Sequence, residues 1–385
     1  MITLLSDNII TSLGFSTEEN FQKMKQGITG LAYYEGYFDL PEPFMASMID
    51  DQKLDDAFYQ LPKAAKSKVD YTKLEKAAIL SVSKALENTG IDPAKPDVLF
   101  MLSTTKGNVF LLDSPHDAYD NPERMYLWHS AALIAHFFDN DTPPITVSNA
   151  CISGAYAMLS AQRTLLSGKY KYVIVIGVDM LSRFIISGFQ SFKALSQNTC
   201  KPFDENRNGL NIGEAAATLI VTNKEDTDLQ SGEVVLTAGA TRNDANHISG
   251  PSRTGEGATL ALRNICSGID TDKLAFINAH GTATPYNDEM EAVAITRASL
   301  QHIPVTCQKG YVGHTLGAAG VVESIISSHS LKERIVLKTY GFKTLGVSNQ
   351  LQIVKQTQAI EGNSCINMLS GFGGGNAALL YTLNK

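Results

Sequence analysis

A cysteine in Ser148-Asn-Ala-Cys-Ile-Ser-Gly154 is the first residue able to do chemistry, because an apolar extended run there meets a small-residue turn and then a helical pattern, Ala155 to Leu166. The junction places Cys151 at a helix N-terminus. Unpaired amides and the positive end of the helix dipole favour thiolate over thiol there, and thiolate is the form that attacks a thioester. An inert buried cysteine is the plain alternative. A second segment, Phe276-Ile-Asn-Ala-His-Gly-Thr-Ala-Thr-Pro-Tyr-Asn-Asp-Glu-Met-Glu291, reads as an apolar strand ending at His280 and Gly281, with a helix beginning after Pro285. Catalytic groups often sit at the carboxyl ends of strands. A lone histidine is also often a satisfied structural residue, and Glu291 fits a first helical turn.

In a third segment, Gln308-Lys-Gly-Tyr-Val-Gly-His-Thr-Leu-Gly-Ala-Ala-Gly320, Lys309 and His314 precede a helix whose Gly and Ala residues permit close backbone packing. Near the C-terminus, Leu369-Ser-Gly-Phe-Gly-Gly-Gly-Asn376 separates two apolar runs. Its amides are available to a ligand, although the same glycines suit a hairpin turn. The loop has neither the lysine nor the following helix of a nucleotide-binding P-loop.

The elements that must position these groups follow an α/β pattern. Apolar runs of strand length recur at Asp97 to Leu102, Tyr172 to Val178, Ala216 to Val221, Leu274 to Asn278 and Ala377 to Tyr381, with amphipathic stretches between several of them. One helix is expected over Thr72 to Glu87, with Gly90 placed to end it in a left-handed turn. The polar segment Asn223 to Gly232 divides the chain into halves, residues 1–228 and 229–385. Pro144-Ile-Thr before the Cys151 helix is echoed by Pro304-Val-Thr before the His314 helix, which suggests a duplicated βα unit.

Composition narrows the function. With 44% hydrophobic and 18% charged residues, neither disorder nor a coiled coil fits. A net charge of −7 argues against a general grip on nucleic acid or anionic lipid. No apolar run is long enough to span a membrane, and Asp7 interrupts the first apolar stretch with no basic segment before it, so a cytoplasmic setting is expected. Five cysteines without a C-x-x-C pair fit neither a disulfide framework nor a structural zinc site.

Taken in order, the motifs resemble the β-ketoacyl-acyl-carrier-protein synthases, condensing enzymes of the thiolase superfamily. The resemblance runs through Ile9-Ile-Thr-Ser-Leu-Gly14, Gly27-Ile-Thr-Gly30, Asn149-Ala-Cys-Ile-Ser-Gly154, and Pro202-Phe-Asp-Glu-Asn-Arg-Asn-Gly209 with Gly213-Glu214. It continues in Asp244-Ala-Asn-His-Ile248, Gly255-Glu-Gly257, His280-Gly-Thr-Ala-Thr284, Lys309 with Gly313-His-Thr-Leu-Gly-Ala-Ala-Gly320, and Gly371-Phe-Gly-Gly374. It implies the thiolase fold: two similar βαβαβαβ halves with sheets stacked between helix layers, usually as a dimer of identical or related subunits.

By the same resemblance, Cys151 would take an acyl primer from the phosphopantetheine of an acyl carrier protein. His280 and His314 would stabilise the charge that builds when the malonyl extender loses carbon dioxide. Lys309 would order the site by pairing with Glu291, and the amides of Cys151 and Phe372 would meet the oxyanion. Neither metal nor nucleotide would be required. Lys63, Lys66 and Lys68, beside Asp70, resemble the basic stretch that meets the acidic carrier protein in related synthases. Gly213-Glu-Ala-Ala-Ala217, where the family has Gly-Glu-Gly-Ala-Gly, and Gly375, where it has Thr, point towards a specialised lipid, polyene or polyketide pathway. The rival readings are a noncatalytic partner like a chain-length factor, whose kind usually lacks the cysteine, and a nondecarboxylating thiolase.

Overall fold

A computed structural model describes residues 1–113 and 121–385. Its centre is an eleven-stranded sheet. In chain order the strands are β1 (Ile2–Ile10), β2 (Val98–Ser103), β3 (Ile145–Val147), β4 (Tyr172–Asp179), β5 (Ala215–Asn223) and β6 (Val234–Asn243). There follow β7 (Leu274–Asn278), β8 (Pro304–Thr306), β9 (Gln352–Ile353), β10 (Ser364–Gly371) and β11 (Gly375–Leu383). Strands such as β2 are buried along their whole length, which is why they read as continuous apolar runs rather than alternating ones.

The spatial order is β9-β8-β7-β10-β11-β6-β1-β5-β4-β2-β3. From the centre outwards, β1-β5-β4-β2-β3 has the same order as β6-β11-β10-β7-β8, and the two series meet in an antiparallel pairing of Ile2 to Leu4 with Val234 to Leu236. The repeated Pro-x-Thr segments are the equivalent strands β3 and β8.

Among the described residues the helices of eight or more residues are α1 (Thr17–Lys25), α2 (Asp51–Tyr59), α3 (Lys73–Leu86), α4 (Leu127–Phe137), α5 (Ser153–Leu166), α6 (Arg183–Ser191), α7 (Glu256–Ile265), α8 (Pro285–Arg297) and α9 (Ala319–Lys332). They form layers on both faces of the sheet. In β4, Val173 and Val175 face the central layer of α5 and α9, while Ile174, Ile176 and Val178 face α3 and α4. In the other half, Ile366 and Met368 of β10 pack under α7 and α8. Among the described residues no helix is long and apolar enough to cross a membrane.

Helix α3 has a capping box: Glu75 N–H donates to Thr72 Oγ1, and Glu75 accepts from Thr72 N–H. It ends earlier than expected, at Leu86, because Asn88 already takes the left-handed conformation (φ 60°) before Gly90 does (φ 68°). The polar connection expected near residue 228 is a single turn, Asp226–Asp228, between β5 and β6. Helices α5 and α9 touch at their first turns through glycine. A Cβ on Gly320 would lie 2.3 Å from the Ala155 nitrogen, and one on Gly154 would lie 2.8 Å from the Gly320 Cα.

Candidate active site

Cys151 stands where β3 turns into α5. Ala150 adopts φ 44°, an unusual value for a residue with a side chain, and the turn is held by Ile152 N–H to Asn149 O (3.2 Å) and Ser153 N–H to Ala150 O (3.2 Å). Ser153 Oγ also accepts from Asn149 N–H at 2.7 Å and donates to Ala150 O at 2.6 Å. The sulfur is thereby fixed at one wall of a cavity of about 530 Å³, whose lining includes His280, His314 and Phe372. Of the two readings of the glycine loop, ligand contact or hairpin, the structure shows the hairpin. It joins β10 to β11, and the Phe372 N–H reaches the Cys151 sulfur.

His280 lies at the end of β7. Its backbone N–H and that of Gly281 each donate to the Glu291 carboxylate at 2.7 Å, with Asn287 Nδ2 adding a third bond at 2.8 Å. Glu291 therefore positions the backbone under His280. It does not pair with Lys309, as the resemblance implied. Lys309, 2% exposed, instead bonds Glu323 of α9 at 2.7 Å and donates from Nζ to His280 Nδ1 at 3.2 Å. Burial opposes its charge, but the surrounding groups, Glu323 foremost, hold the ammonium above the usual lysine value. Glu323 was missed, although it is the lone charged side chain between Thr315 and Ser328.

His314 accepts from the Leu316 N–H at Nδ1 (3.3 Å), and its buried Nε2 has no partner among the described residues. Because both Nδ1 atoms accept, each ring carries its hydrogen on Nε2. The two rings meet edge to face, 4.9 Å between centroids, and one nitrogen of each lies with the Cys151 sulfur in a group whose members are within 4.8 Å of one another. Burial, and secondarily the Lys309 charge, pushes both histidines well below the ordinary value, so both are neutral. Cys and two His are also a metal donor set, but the Lys309 and Lys106 ammonium groups beside them oppose a dication.

The expected preformed thiolate is corrected as well. Burial pushes the Cys151 thiol up to about 11, so the resting group is a thiol that must shed its proton as it reacts. Cys200, Cys307 and Cys365 are buried and pushed up by the same cause. Lys63, Lys66 and Lys68 are exposed, with Lys63 paired to Asp139 at 2.6 Å, and none of the three lines the cavity. The lysine that does line it is Lys193, just past α6, which sequence reasoning did not single out.

Residues 11–227 match the family model for the N-terminal domain of beta-ketoacyl synthases, and residues 233–343 match that for the C-terminal domain. The chain belongs to the beta-ketoacyl synthase family. It is 31% identical over 246 residues to a 3-oxoacyl-[acyl-carrier-protein] synthase 2 of Staphylococcus aureus, an alignment covering 60% of this chain and 59% of that protein. The corresponding Vibrio cholerae protein is 29% identical over 258 residues, 62% of each chain. The match thus spans about three fifths of the length of these relatives. Among solved structures, a ketosynthase in complex with its chain length factor from Xenorhabdus doucetiae aligns with a TM-score of 0.86 at 23% identity, covering 99% of this chain and 98% of that one. A beta-ketoacyl synthase from Burkholderia phymatum gives 0.83 at 21% identity, covering 100% and 99%. These likenesses show the thiolase fold.

Proposed function

We propose that the protein is a β-ketoacyl-acyl-carrier-protein synthase, catalysing decarboxylative Claisen condensation in fatty acid or specialised lipid, polyene or polyketide assembly. The observation that carries this reading is the pair of neutral imidazoles, each held with its hydrogen on Nε2, facing one cysteine sulfur. In the first step the Cys151 sulfur attacks the primer's thioester carbonyl and loses its proton to the departing pantetheine sulfur, leaving an acyl-Cys151 thioester and a free carrier thiol. The amides of Phe372 and Cys151 stabilise the oxyanion.

In the second step the malonyl thioester oxygen accepts hydrogen bonds from His280 and His314 as carbon dioxide leaves. Each neutral ring still has its Nε2–H to donate to the growing enolate oxygen. The enolate carbon then attacks acyl-Cys151, the carbon–sulfur bond breaks, the departing Cys151 thiolate takes up a proton from solvent to restore the thiol, and a β-ketoacyl carrier thioester is released. Lys309 and Glu291 act as positioning residues. No metal or nucleotide takes part.

The substrate arm is phosphopantetheine supplied by the carrier protein, and the working unit is a homodimer or a heterodimer with a related synthase subunit. One solved relative is described as a polyketide carrier protein in complex with its ketosynthase, and another as a ketosynthase with its chain length factor, which supports both partners. Residues 1–228 carry the nucleophile and 229–385 the two histidines and lysine. Lys63, Lys66 and Lys68 remain the proposed docking patch for the acidic carrier, with Lys193 at the cavity added to it. The setting is cytoplasmic. The test is to incubate the protein with acyl- and malonyl-carrier protein and weigh intermediates and products. A β-ketoacyl product, with acylation confined to Cys151 and lost in Cys151→Ala, is expected. No acylation with any primer would instead favour a noncatalytic, chain-length-factor-like subunit.

A further inference from the structure

The hairpin between β10 and β11 carries Phe372 against the cysteine turn. Its hydrogen bonds tie it to itself and to the segment after β6: Gly374 N–H donates to Gly371 O at 3.2 Å, Gly373 N–H to Ile248 O at 2.7 Å, and Asn376 Nδ2 to Asp244 Oδ2 at 3.0 Å. Towards the nucleophile the hairpin meets bare backbone. A Cβ on Gly371 would lie 3.1 Å from the Cys151 nitrogen and 3.4 Å from the Ile152 nitrogen.

Gly375, which pairs with Gly371 across the hairpin, is glycine for a different reason from its neighbours. Gly373 and Gly374 take φ of 84° and 79°, values that favour glycine, whereas Gly375 lies outside the left-handed region and its backbone would accept a side chain. What is missing is space. A Cβ there would lie 2.7 Å from Ile152 Cδ1, while the next atoms, Ile152 Cγ1 and Asn149 Oδ1, stand at 3.5 and 3.9 Å. Threonine, which the resemblance leads one to expect at 375, has no room beside this methyl. Ile152 directly follows the nucleophile and is 1% exposed, so the methyl has no solvent to swing into. Close-packed interiors transmit such a displacement to the backbone behind it.

We propose that Ile152 is a positioning residue for acyl transfer: its δ-methyl, seated against Gly375, sets the separation between the cysteine turn and the hairpin, and with it the spacing of the Cys151 and Phe372 amides that receive the oxyanion. The proposal rests on the oxyanion role given to those two amides under the proposed function. Such donors must lie about 2.7 to 3.1 Å from the oxyanion, so a sub-ångström displacement of the hairpin weakens one of them.

Two reagents at Cys151, followed by mass mapping, separate this role from a general loss of the site. Acetylation by p-nitrophenyl acetate passes through a tetrahedral oxyanion and alkylation by iodoacetamide does not; neither needs a carrier protein. Ile152→Val deletes the methyl at the contact, and Gly375→Ala adds one in its place. Gly375→Ala should acetylate about 10²-fold more slowly, the loss expected for one oxyanion donor, and Ile152→Val about tenfold, with alkylation of both within about twofold of the parent. The double variant conserves volume at the contact and should acetylate within about threefold of the parent. A single variant whose acetylation is unchanged, or whose two rates fall together, would overturn the proposal, as would a double variant that is no faster than the singles or does not fold. If Gly375→Ala alone does not fold, the double variant compared with Ile152→Val decides by the same criterion. A parent protein alkylated but not acetylated at Cys151 would overturn the proposal too, by removing the oxyanion role. Failure of acyl transfer from carrier substrates with the ester pattern intact would instead sink the synthase reading alone.

Discussion

Replacing Lys309 and Glu323, singly and together, by methionine separates what the buried ion pair does for the fold from what it does for the chemistry. Lys309→Met leaves Glu323 in a site where its side chain is 4% exposed, with Asn278 Nδ2 at 3.3 Å as its remaining partner. An uncompensated buried charge costs about 3 to 5 kcal/mol. The double variant removes both charges and keeps similar volumes, leaving mainly the Asn278 amide without its acceptor, a cost of about 1 to 2 kcal/mol. Unfolding in urea should therefore show the double variant recovering most of the single variant's loss. Decarboxylation should not recover, because both variants lose the donor to His280 Nδ1 that keeps the ring's hydrogen on Nε2. The loss is bounded by that of one oxyanion donor, about 10² to 10³-fold. Carbon dioxide release from malonyl-carrier protein measures it. Near-normal release by the double variant would refute the reasoning, and so would a double variant no more stable than Lys309→Met.

Further outcomes can be checked independently. Since burial and Lys309 hold His280 and His314 well below the ordinary histidine value, decarboxylation should stay level from pH 8 to 6, and a fall centred near 6.5 would mean that one ring is effectively solvated. Gly320→Ala drives a Cβ into the backbone of Ala155 and should destabilise by about 2 kcal/mol or more; an unchanged melting temperature would refute the close approach of α5 and α9. Although burial opposes it, the His329 hydrogen bond at 3.0 Å holds Asp7 below its reference value of 3.8. This stabilisation is present above pH 4 and lost as pH falls through the folded value, so Asp7→Asn should be less stable than the parent at pH 7, and the difference should shrink on acidification; a difference that does not change with pH would refute the pairing. Lys63→Glu with Lys66→Glu should slow the reaction at limiting carrier substrate and flatten its salt dependence while sparing a small pantetheine thioester; equal losses with both substrates would indicate damage to the fold.

The parts of the site that could be read from sequence share one property: Cys151, His280, Lys309 and His314 each lie in a short contiguous motif at a strand–helix junction. The partner of Lys309 has no such signature. Glu291 and Glu323 are both acids within helices, and only the packing of α9 beside the end of β7, where Asn278 meets Glu323, brings the second one to the lysine. Burial is equally hidden, which is why helix-dipole reasoning alone gave a thiolate where the folded chain holds a thiol. In the fold, β4 and β7 were legible because they are buried on both faces. β1 was not, because Ser6-Asp7-Asn8 breaks its apolar run even though it lies beside β6 at the middle of the sheet.

The position of β1 has a consequence for synthesis on the ribosome. Its partner residues are Ala216 to Asn223 and Val234 to Leu236, about 200 residues further along the chain. At common translation speeds the strand waits roughly 10 to 40 s for them. Throughout that interval Ile2, Leu4, Ile9 and Ile10, all buried in the finished protein, are open to association with other nascent chains. Asp7 interrupts this stretch with a charge, as gatekeeper residues do in aggregation-prone segments. That charge gains its partner only when α9, later still, delivers His329.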